Sequence, residues 1–190
     1  MTYYYKICLK IIVKIKYQGG IWMKKYLMPI LMGVIFILTG CSDDSASNES
    51  NIKEMVSELS ASNIVESASI NDKTLIVKDS GDENVYTLPD DEFFVSIAPY
   101  ISYTHPCEFH SLTGCQGELM NEEMDVKIVD EDGEVHVDEK LTTLENGFLD
   151  FWLPRDKNYS LEINYDGKKV ESNFSTFEND STCLTDLQLK

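Results

Sequence analysis

The segment GFLDFWLPRDKNYSLEINYDGKK, residues 147–169, decides the fold of this chain. It contains two runs, GFLDFWL and YSLEINY, in which apolar and polar side chains mostly alternate. This period of two is typical of strands that bury one face and expose the other. Asp166-Gly167, which follows the second run, favours a tight turn into a third strand. The segment therefore predicts antiparallel β-structure.

The same pattern continues on both sides of this segment. Three further short runs are MDVKIV, EVHV and KVESNF, and Asp132-Gly133 and Asn146-Gly147 supply turns between runs. Five strands at such spacing are typical of a small Greek-key sandwich. The C-terminal run CLTDLQL, residues 183–189, predicts a last strand that brings Cys183 back against the rest of the fold.

The chain before these strands combines a helix with a hairpin. Asn51 and Glu54 have the spacing of an N-cap and its capping-box partner, and apolar residues then recur at helical spacing, which predicts a helix over about residues 51–60. The runs KTLIVKD and NVYTL flank Asp79-Ser80-Gly81-Asp82 and predict a hairpin. The run EFFVSIAPYI predicts a further strand, in which Pro99 ends the ladder or lies on an edge.

Together these patterns predict an α+β, mostly β fold: a short N-terminal helix and hairpin packed on a small antiparallel, Greek-key-like β-sandwich. A flexible polar tether is expected at residues 41–50, because this segment is small and polar. An N-terminal α+β subdomain follows at 51–103, then a cysteine-bearing metal-site loop at 104–118. A C-terminal β-sandwich subdomain is expected at 119–190 and carries Cys183.

Residues 1–40 are predicted to lie outside the fold, as an upstream extension and a secretion signal. They contain six Lys and no Asp or Glu, and MKKYLMPILMGVIFILTGC starts at Met23, the expected true start. The apolar segment Leu27–Leu38 is short of the roughly 20 residues that span a bilayer. The ending Leu38-Thr39-Gly40-Cys41 resembles the lipobox of bacterial lipoproteins. That resemblance implies lipidation of Cys41 and attachment to a membrane.

The mature chain is strongly acidic. All 33 Asp and Glu lie in residues 41–190 together with ten of the 16 Lys and Arg, which gives a formal charge of 10 − 33 = −23. Phosphate binding needs clustered basic side chains, so nucleic acid is excluded as a partner. The sequence also shows no Ser/His/Asp order, no phosphate-binding glycine loop and no spaced carboxylate pair. It therefore supports no hydrolase.

The stretch THPCEFHSLTGCQGE, residues 104–118, concentrates the soft and titratable side chains of the chain. After lipidation of Cys41, three thiols remain: Cys107, Cys115 and Cys183. Three is odd, and in an oxidising compartment at most two of them pair within one chain. The remaining thiol stays free, pairs with a second copy of the chain in a homodimer, or binds a ligand.

Several chemistries suit this set of thiols. A structural disulfide, within the loop or to Cys183, leaves one cysteine over. A redox pair normally uses Cys-x-x-Cys, whereas here seven residues separate the two loop cysteines. Iron–sulfur clusters are normally bound by four cysteines. Structural zinc is bound by four ligands, and one His would complete such a set with the three cysteines. A blue-copper site uses one cysteine with two histidines, and neither Cys107-x-x-His110 nor Cys115-x-x-x-x-Met120 is a complete loop of that kind. Thiolates select Cu(I), for which three cysteines are enough.

The histidines are secondary candidates. His105 precedes Pro106 and is expected to be extended, and His110 lies three residues after Cys107. Either is a candidate fourth ligand, or the base that keeps a thiol deprotonated, although a plain hydrogen-bonded histidine is preferred for both. His136 is predicted to be solvent-exposed.

These residues carry a resemblance to a known family. The stretch FFVSIAPYISYTHPCEFHSLTGCQGEL, with a later single cysteine in STCLTDLQL, resembles the CueP family of periplasmic copper-binding proteins. The resemblance implies that the metal-binding cysteines of the family correspond to Cys107, Cys115 and Cys183. It also implies an envelope protein that holds copper for resistance, or hands it to an exported copper-dependent enzyme.

The sequence thus predicts an extracytoplasmic, lipid-anchored protein that holds Cu(I) by three reduced thiolates, with zinc as the second choice of metal. It is expected in the periplasm or on the outer face of the cell membrane. One alternative is a thiol–disulfide oxidoreductase or copper reductase that uses the same cysteines with a thiol-reducing system. The other is a structural module stapled by a disulfide.

Overall fold

The computed structural model describes residues 44–190, and within this range one helix precedes a series of strands. The predicted extension, signal peptide and lipidation site at Cys41 lie outside the described residues. The strands are β1 (Ser67–Ile70), β2 (Thr74–Asp79), β3 (Asp82–Thr87), β4 (Glu92–Tyr100), β5 (His110–Ser111), β6 (Glu123–Asp130), β7 (Val135–Thr142), β8 (Leu149–Pro154), β9 (Asn158–Tyr165), β10 (Lys168–Ser175) and β11 (Cys183–Gln188).

The helix α1 spans Asp44–Leu59 and therefore starts before the predicted position at Asn51. Most of the segment predicted as a flexible tether is helical, because its polar composition gives no apolar periodicity from which a helix is recognised. Ile52, Val56 and Leu59 are buried, as their helical spacing predicts. Among the described residues, no helix has the length and apolar character needed to cross a bilayer.

A first sheet with the strand order β3-β2-β1-β5 packs against α1. The predicted hairpin is confirmed, because β2 and β3 pair from Thr74↔Thr87 to Asp79↔Asp82. Its two central residues both have positive φ, 52° at Ser80 and 87° at Gly81, as a type I′ turn requires. The short strands β1 and β5 were not predicted, and β5 lies within the cysteine loop.

The predicted mostly β sandwich is confirmed. One sheet has the order β10-β9-β6-β7, and the other has the order β11-β4-β8. The chain passes from β7 to β8 in the opposite sheet and returns to place β9 beside β6, which is a Greek-key-like connection. Apolar side chains of both sheets fill the space between them, including Phe93, Ile128, Phe151, Leu161 and Ile163.

The central strand β4 is buried on both faces. Phe93, Val95 and Ile97 lie in the sandwich core, whereas Phe94 lies in the core under α1. The β4–β8 ladder ends at Ile97↔Leu149, two residues before Pro99, but the pairing with β11 includes Leu187↔Pro99 and continues to Tyr100, so the proline does not end the strand. On its other side β4 pairs with β11 in parallel. The predicted C-terminal strand is thus confirmed, and it places Cys183 beside Ser96.

Candidate metal centre

Hydrogen bonds of the Glu118 side chain and of the Gly117 backbone hold the base of the cysteine loop. The carboxylate of Glu118 accepts the backbone N–H groups of Ile101 and Ser102 at 2.6 and 2.8 Å. The Gly117 N–H donates to the carbonyl of Asn146 at 2.6 Å. A Cβ on Gly117 would lie 2.8 Å from the carbonyl oxygen of Gly147, so the loop approaches this turn more closely than any side chain allows.

A buried threonine joins the loop to the C-terminal strand. The hydroxyl of Thr182 accepts the backbone N–H of His110 at 3.1 Å and donates to the carbonyl of Ile70 at 2.8 Å. The Thr182 N–H donates to the carbonyl of Glu108 at 3.0 Å. Because Cys183 is the next residue, these bonds bring its side chain beside the loop.

A tight turn returns the second loop cysteine to the first. The Cys115 N–H donates to the carbonyl of Ser111 at 3.1 Å, and the Leu112 side chain within this turn is fully buried. The Thr113 hydroxyl accepts the N–H of Ala68 at 3.1 Å, which holds the turn against β1. As a result, the sulfurs of Cys107 and Cys115 lie 3.5 Å apart.

Cys107 and Cys183 form a disulfide across a sequence separation of 76, with their Cα atoms 5.6 Å apart. The sequence reasoning expected three reduced sulfurs, whereas the structure has this pair oxidised and Cys115 as a free thiol. The three cysteines are therefore present as one disulfide and one free thiol. The pairing joins the loop to β11, since the Thr182 bonds bring Cys183 to within disulfide distance of Cys107.

Four potential ligand atoms converge here. One ligand atom each from Cys107, His110, Cys115 and Cys183 lies within 4.8 Å of all the others, a set that can hold a metal ion once the disulfide is reduced. Ala98 and Phe148 form an apolar wall against the cysteines. The distant Cys183 lies within this group, so the structure brings together the three cysteines named in the sequence.

His110 is part of this cluster and is fully buried. Its Nδ1 lies 3.5 Å from the Cys183 sulfur, and its Nε2 lies 3.3 Å from the Ser96 hydroxyl oxygen. Burial, with a smaller contribution from nearby His105, lowers the pKa of His110 to about 4. The imidazole is therefore neutral at neutral pH, the form in which a histidine binds a metal.

His105 does not belong to the four-residue cluster. Its ring packs edge-on against Phe148 with centroids 6.3 Å apart, and its Nε2 is buried without a hydrogen-bond partner among the described residues. The structure thus separates two histidines that the sequence treated alike.

The free thiol of Cys115 is half-buried, and this burial raises its pKa, although a hydrogen bond between the thiol and the backbone of Ser111 acts in the opposite direction. The metal-free thiol is consequently protonated at neutral pH. A bound soft metal would replace this proton, since the thiolate is the ligand form.

A second group, formed by Asp130, Glu134 and His136, also has metal-ligand side chains close together. The Lys157 ammonium lies 2.6 Å from Asp130 Oδ2 and already supplies the positive charge there. The prediction of an exposed His136 is wrong: its Nε2 lies 3.1 Å from the same oxygen, and its ring packs edge-on against Tyr159. We interpret this group as structural.

Sequence reasoning missed three polar residues around the cluster: Ser96, Asp150 and Thr182. The Ser96 hydroxyl, in contact with His110, also donates to Asp150 Oδ1 at 2.5 Å. Ser96 interrupts the apolar run FFVSIA, and Asp150 interrupts FLDFWL. A polar side chain at such a position is the signal that would have found both residues.

The fold and the cluster define a β-rich protein with a centre of soft metal ligands. The family model described as periplasmic copper-binding protein CueP matches residues 51–188. The chain therefore belongs to the CueP family, and the predicted resemblance is confirmed. Membership of this family supports copper as the ligand and an extracytoplasmic location.

A solved structure described as "Crystal Structure of S.CueP" is similar to the chain over most of both proteins. The two are 37% identical with a TM-score of 0.69, and the match covers 73% of this chain and 89% of the other. No curated protein matches the chain.

Proposed function

We propose that this protein binds one Cu(I) ion through the thiolates of Cys107, Cys115 and Cys183 after reduction of the Cys107–Cys183 disulfide. Bound copper is held for sequestration and resistance, or for delivery to an exported copper-dependent enzyme. The lipid on Cys41 would keep this activity at the membrane surface. The observation that carries the proposal is the convergence of the three cysteines and His110 to within 4.8 Å.

The donor set favours copper over the other metals. Soft thiolates select Cu(I), zinc or iron–sulfur clusters, and three cysteines are one short of the set that iron–sulfur clusters use. Zinc would need His110 as an obligatory fourth ligand. Cu(I) can be held by the three sulfurs with or without a fourth ligand, and Ala98 and Phe148 pack against the cysteines.

Competition for Cu(I) tests the proposal. Reduced protein, freed of reductant under anaerobic conditions, is titrated against a chromophoric Cu(I) chelator. We expect one equivalent to bind, and Cys→Ser at any of the three positions should weaken binding at least about tenfold, a loss of about 1.4 kcal/mol. Met120→Leu removes an exposed sulfur outside the cluster and serves as the control. If Cu(I) still binds tightly after loss of any one of the three cysteines, the three-thiolate site is contradicted.

A thiol–disulfide enzyme or copper reductase is the second candidate, because the Cys115 sulfur lies 3.5 Å from a disulfide sulfur. In the reductase, the Cys107 and Cys183 thiols would form their disulfide, release two protons and reduce two Cu(II) ions to Cu(I). The raised pKa of Cys115 opposes fast thiol exchange, which favours binding over turnover.

Thiol counting after addition of Cu(II) separates the candidates. Repeated reduction of Cu(II) with a thiol reductant present, coupled each time to disulfide formation, would favour the enzyme. A structural module stapled by the disulfide predicts instead that reduced protein has no affinity for Cu(I).

A further inference from the structure

A series of hydrogen bonds connects the cysteine–histidine group to the carboxylate of Asp150, which lies opposite Ser96 on the neighbouring strand β8. Asp150 Oδ1 accepts the hydroxyl of Ser96 at 2.5 Å, and Oδ2 accepts the hydroxyl of Ser60 at 2.5 Å. The Ser96 oxygen lies 3.3 Å from Nε2 of His110. On the other side of this ring, Nδ1 lies 3.5 Å from the sulfur of Cys183.

The direction of these bonds follows from the number of protons available. Both carboxylate oxygens of Asp150 act as acceptors, Oδ1 from Ser96 and Oδ2 from Ser60, so Ser96 uses its one hydroxyl proton in this bond. The Ser96 oxygen must then accept a proton from Nε2 of His110. A neutral imidazole carries one N–H, which leaves Nδ1 with a lone pair directed at Cys183.

The placement of Asp150 is costly and calls for an explanation. Among the described residues no Lys, Arg or His forms an ion pair with Asp150. The residue lines a cavity of about 360 Å³ beside α1. Lys53, which also lines this cavity, pairs with Glu92. Burial raises the pKa of Asp150, and the two serine hydroxyls oppose that rise. A carboxylate kept in this position orients the groups bonded to it.

We propose that Asp150 and Ser96 are positioning residues that hold His110 in its Nε2–H tautomer, so that Nδ1 serves as the fourth ligand to copper. This inference rests on the proposed function for its copper step, but not for the tautomer itself. Outer partners of this kind fix the orientation and tautomer of ligating histidines, and their loss typically weakens metal binding by about 10–100-fold.

The tautomer is measured first, without any metal. The imidazole ¹⁵N chemical shifts of His110 are recorded by NMR on reduced, metal-free protein. We expect the Nε2–H form in the unmodified protein. In Asp150→Asn either the amide oxygen or the amide N–H₂ can face Ser96, so the ring should lose its strict preference for the Nε2–H form. Ser96→Thr keeps a hydroxyl and should retain the original tautomer.

Affinity for Cu(I) is measured second, on the same proteins. Asp150→Asn and Ser96→Ala should each weaken binding by about 10–100-fold, and Ser96→Thr should restore it. Ser60→Ala, which removes the other hydroxyl from Asp150 without touching His110, should have a smaller effect.

Each outcome decides a separate point. An Nδ1–H ring in the unmodified protein, or a full preference for Nε2–H in Ser96→Ala, would overturn the positioning. A changed tautomer with unchanged Cu(I) affinity would overturn the fourth-ligand step. If unmodified protein shows the Nε2–H form but binds no copper, the proposed function fails while the positioning stands. If Asp150→Asn does not fold, the tautomers of the unmodified protein and of Ser96→Ala still test the positioning. His110 in Ser96→Ala should lose its preference for the Nε2–H form.

Discussion

The hydroxyl of Thr182 accepts the backbone N–H of His110 at 3.1 Å, and the next residue, Cys183, belongs to the candidate metal site. The same hydroxyl donates to the carbonyl of Ile70 at 2.8 Å, so one buried oxygen links β1, β5 and the start of β11. The two cysteines of the disulfide come from segments that these bonds hold together. The geometry of the cluster therefore depends on a residue that binds no metal.

We expect Thr182→Val to destabilise the protein by about 2 kcal/mol, because the substitution keeps the shape but leaves two buried backbone groups without a partner. Urea denaturation of the oxidised protein gives the free energy of unfolding. Thr185→Val is the matched control: Thr185 is also buried on β11, and its hydroxyl makes no hydrogen bond to the described residues. Equal losses in the two variants would contradict the role of the Thr182 bonds.

Reduction of the disulfide should lower the free energy of unfolding by about 4 kcal/mol in metal-free protein. The Cys107–Cys183 bond closes a loop with a sequence separation of 76, and the chain entropy released on opening a loop of this length corresponds to about that value. Urea denaturation with and without a phosphine reductant measures it.

Cu(I) added to the reduced protein should recover part of this loss, since a ligand that binds the folded state alone stabilises it. Cys115→Ser provides the control, because it keeps the disulfide and its response to reductant but lacks one copper ligand. Recovery of the same size in Cys115→Ser would show that copper acts elsewhere.

Gly117→Ala should destabilise the protein by about 1–3 kcal/mol, because the added Cβ meets the backbone of Gly147, which cannot rotate away. The matched control is Gly114→Ala in the same loop. Its Cβ would also lie 2.8 Å from an oxygen, but that oxygen is the Ser111 hydroxyl at the end of a side chain. Thermal denaturation of both variants should show the larger loss for Gly117→Ala, and a larger loss for Gly114→Ala would contradict the close backbone approach.

The sandwich strands were predictable because each buries one face, and the alternation of residues records this directly. The strand β6, with Met124, Val126 and Ile128 buried and Asp125 and Lys127 exposed, is a clear case. The strands β1 and β5 were missed because they are too short to show a period, and both are strands only through their tertiary partners. The early start of α1 was missed for a similar reason, since residues 44–50 carry no apolar pattern.

The residues of the candidate metal site could be named from the sequence, but their arrangement could not. An odd number of thiols indicated that one cysteine stands apart, yet three thiols allow three pairings, and spacing does not select Cys107 with Cys183. His105 and His110 look alike in the sequence. They differ in the structure because β5 buries His110 between Ser96 and Cys183, a contact that depends on parallel pairing of β11 with β4.

The Asp130 network should make stability depend on acid pH. The Lys157 ammonium, with His136 and backbone amides, holds the pKa of Asp130 below its usual range. In the unfolded chain this carboxyl has a pKa of about 3.9. Its stabilising contribution is therefore complete above about pH 4 and is lost as the pH falls towards the folded pKa. The free energy of unfolding, measured in urea from pH 7 to pH 3, should fall at the acid end.

Asp130→Asn should be less stable than the unmodified protein at pH 7, and its stability should fall less between pH 5 and pH 3. Asp132→Asn is the control, because Asp132 contacts the same lysine at 3.0 Å and loses the same charge but is exposed. It should follow the pH profile of the unmodified protein. If Asp130→Asn has the same slope as that protein, the acid dependence originates elsewhere. Asp130 would then titrate alike in the folded and unfolded chains, although its Oδ2 lies 2.6 Å from the Lys157 nitrogen.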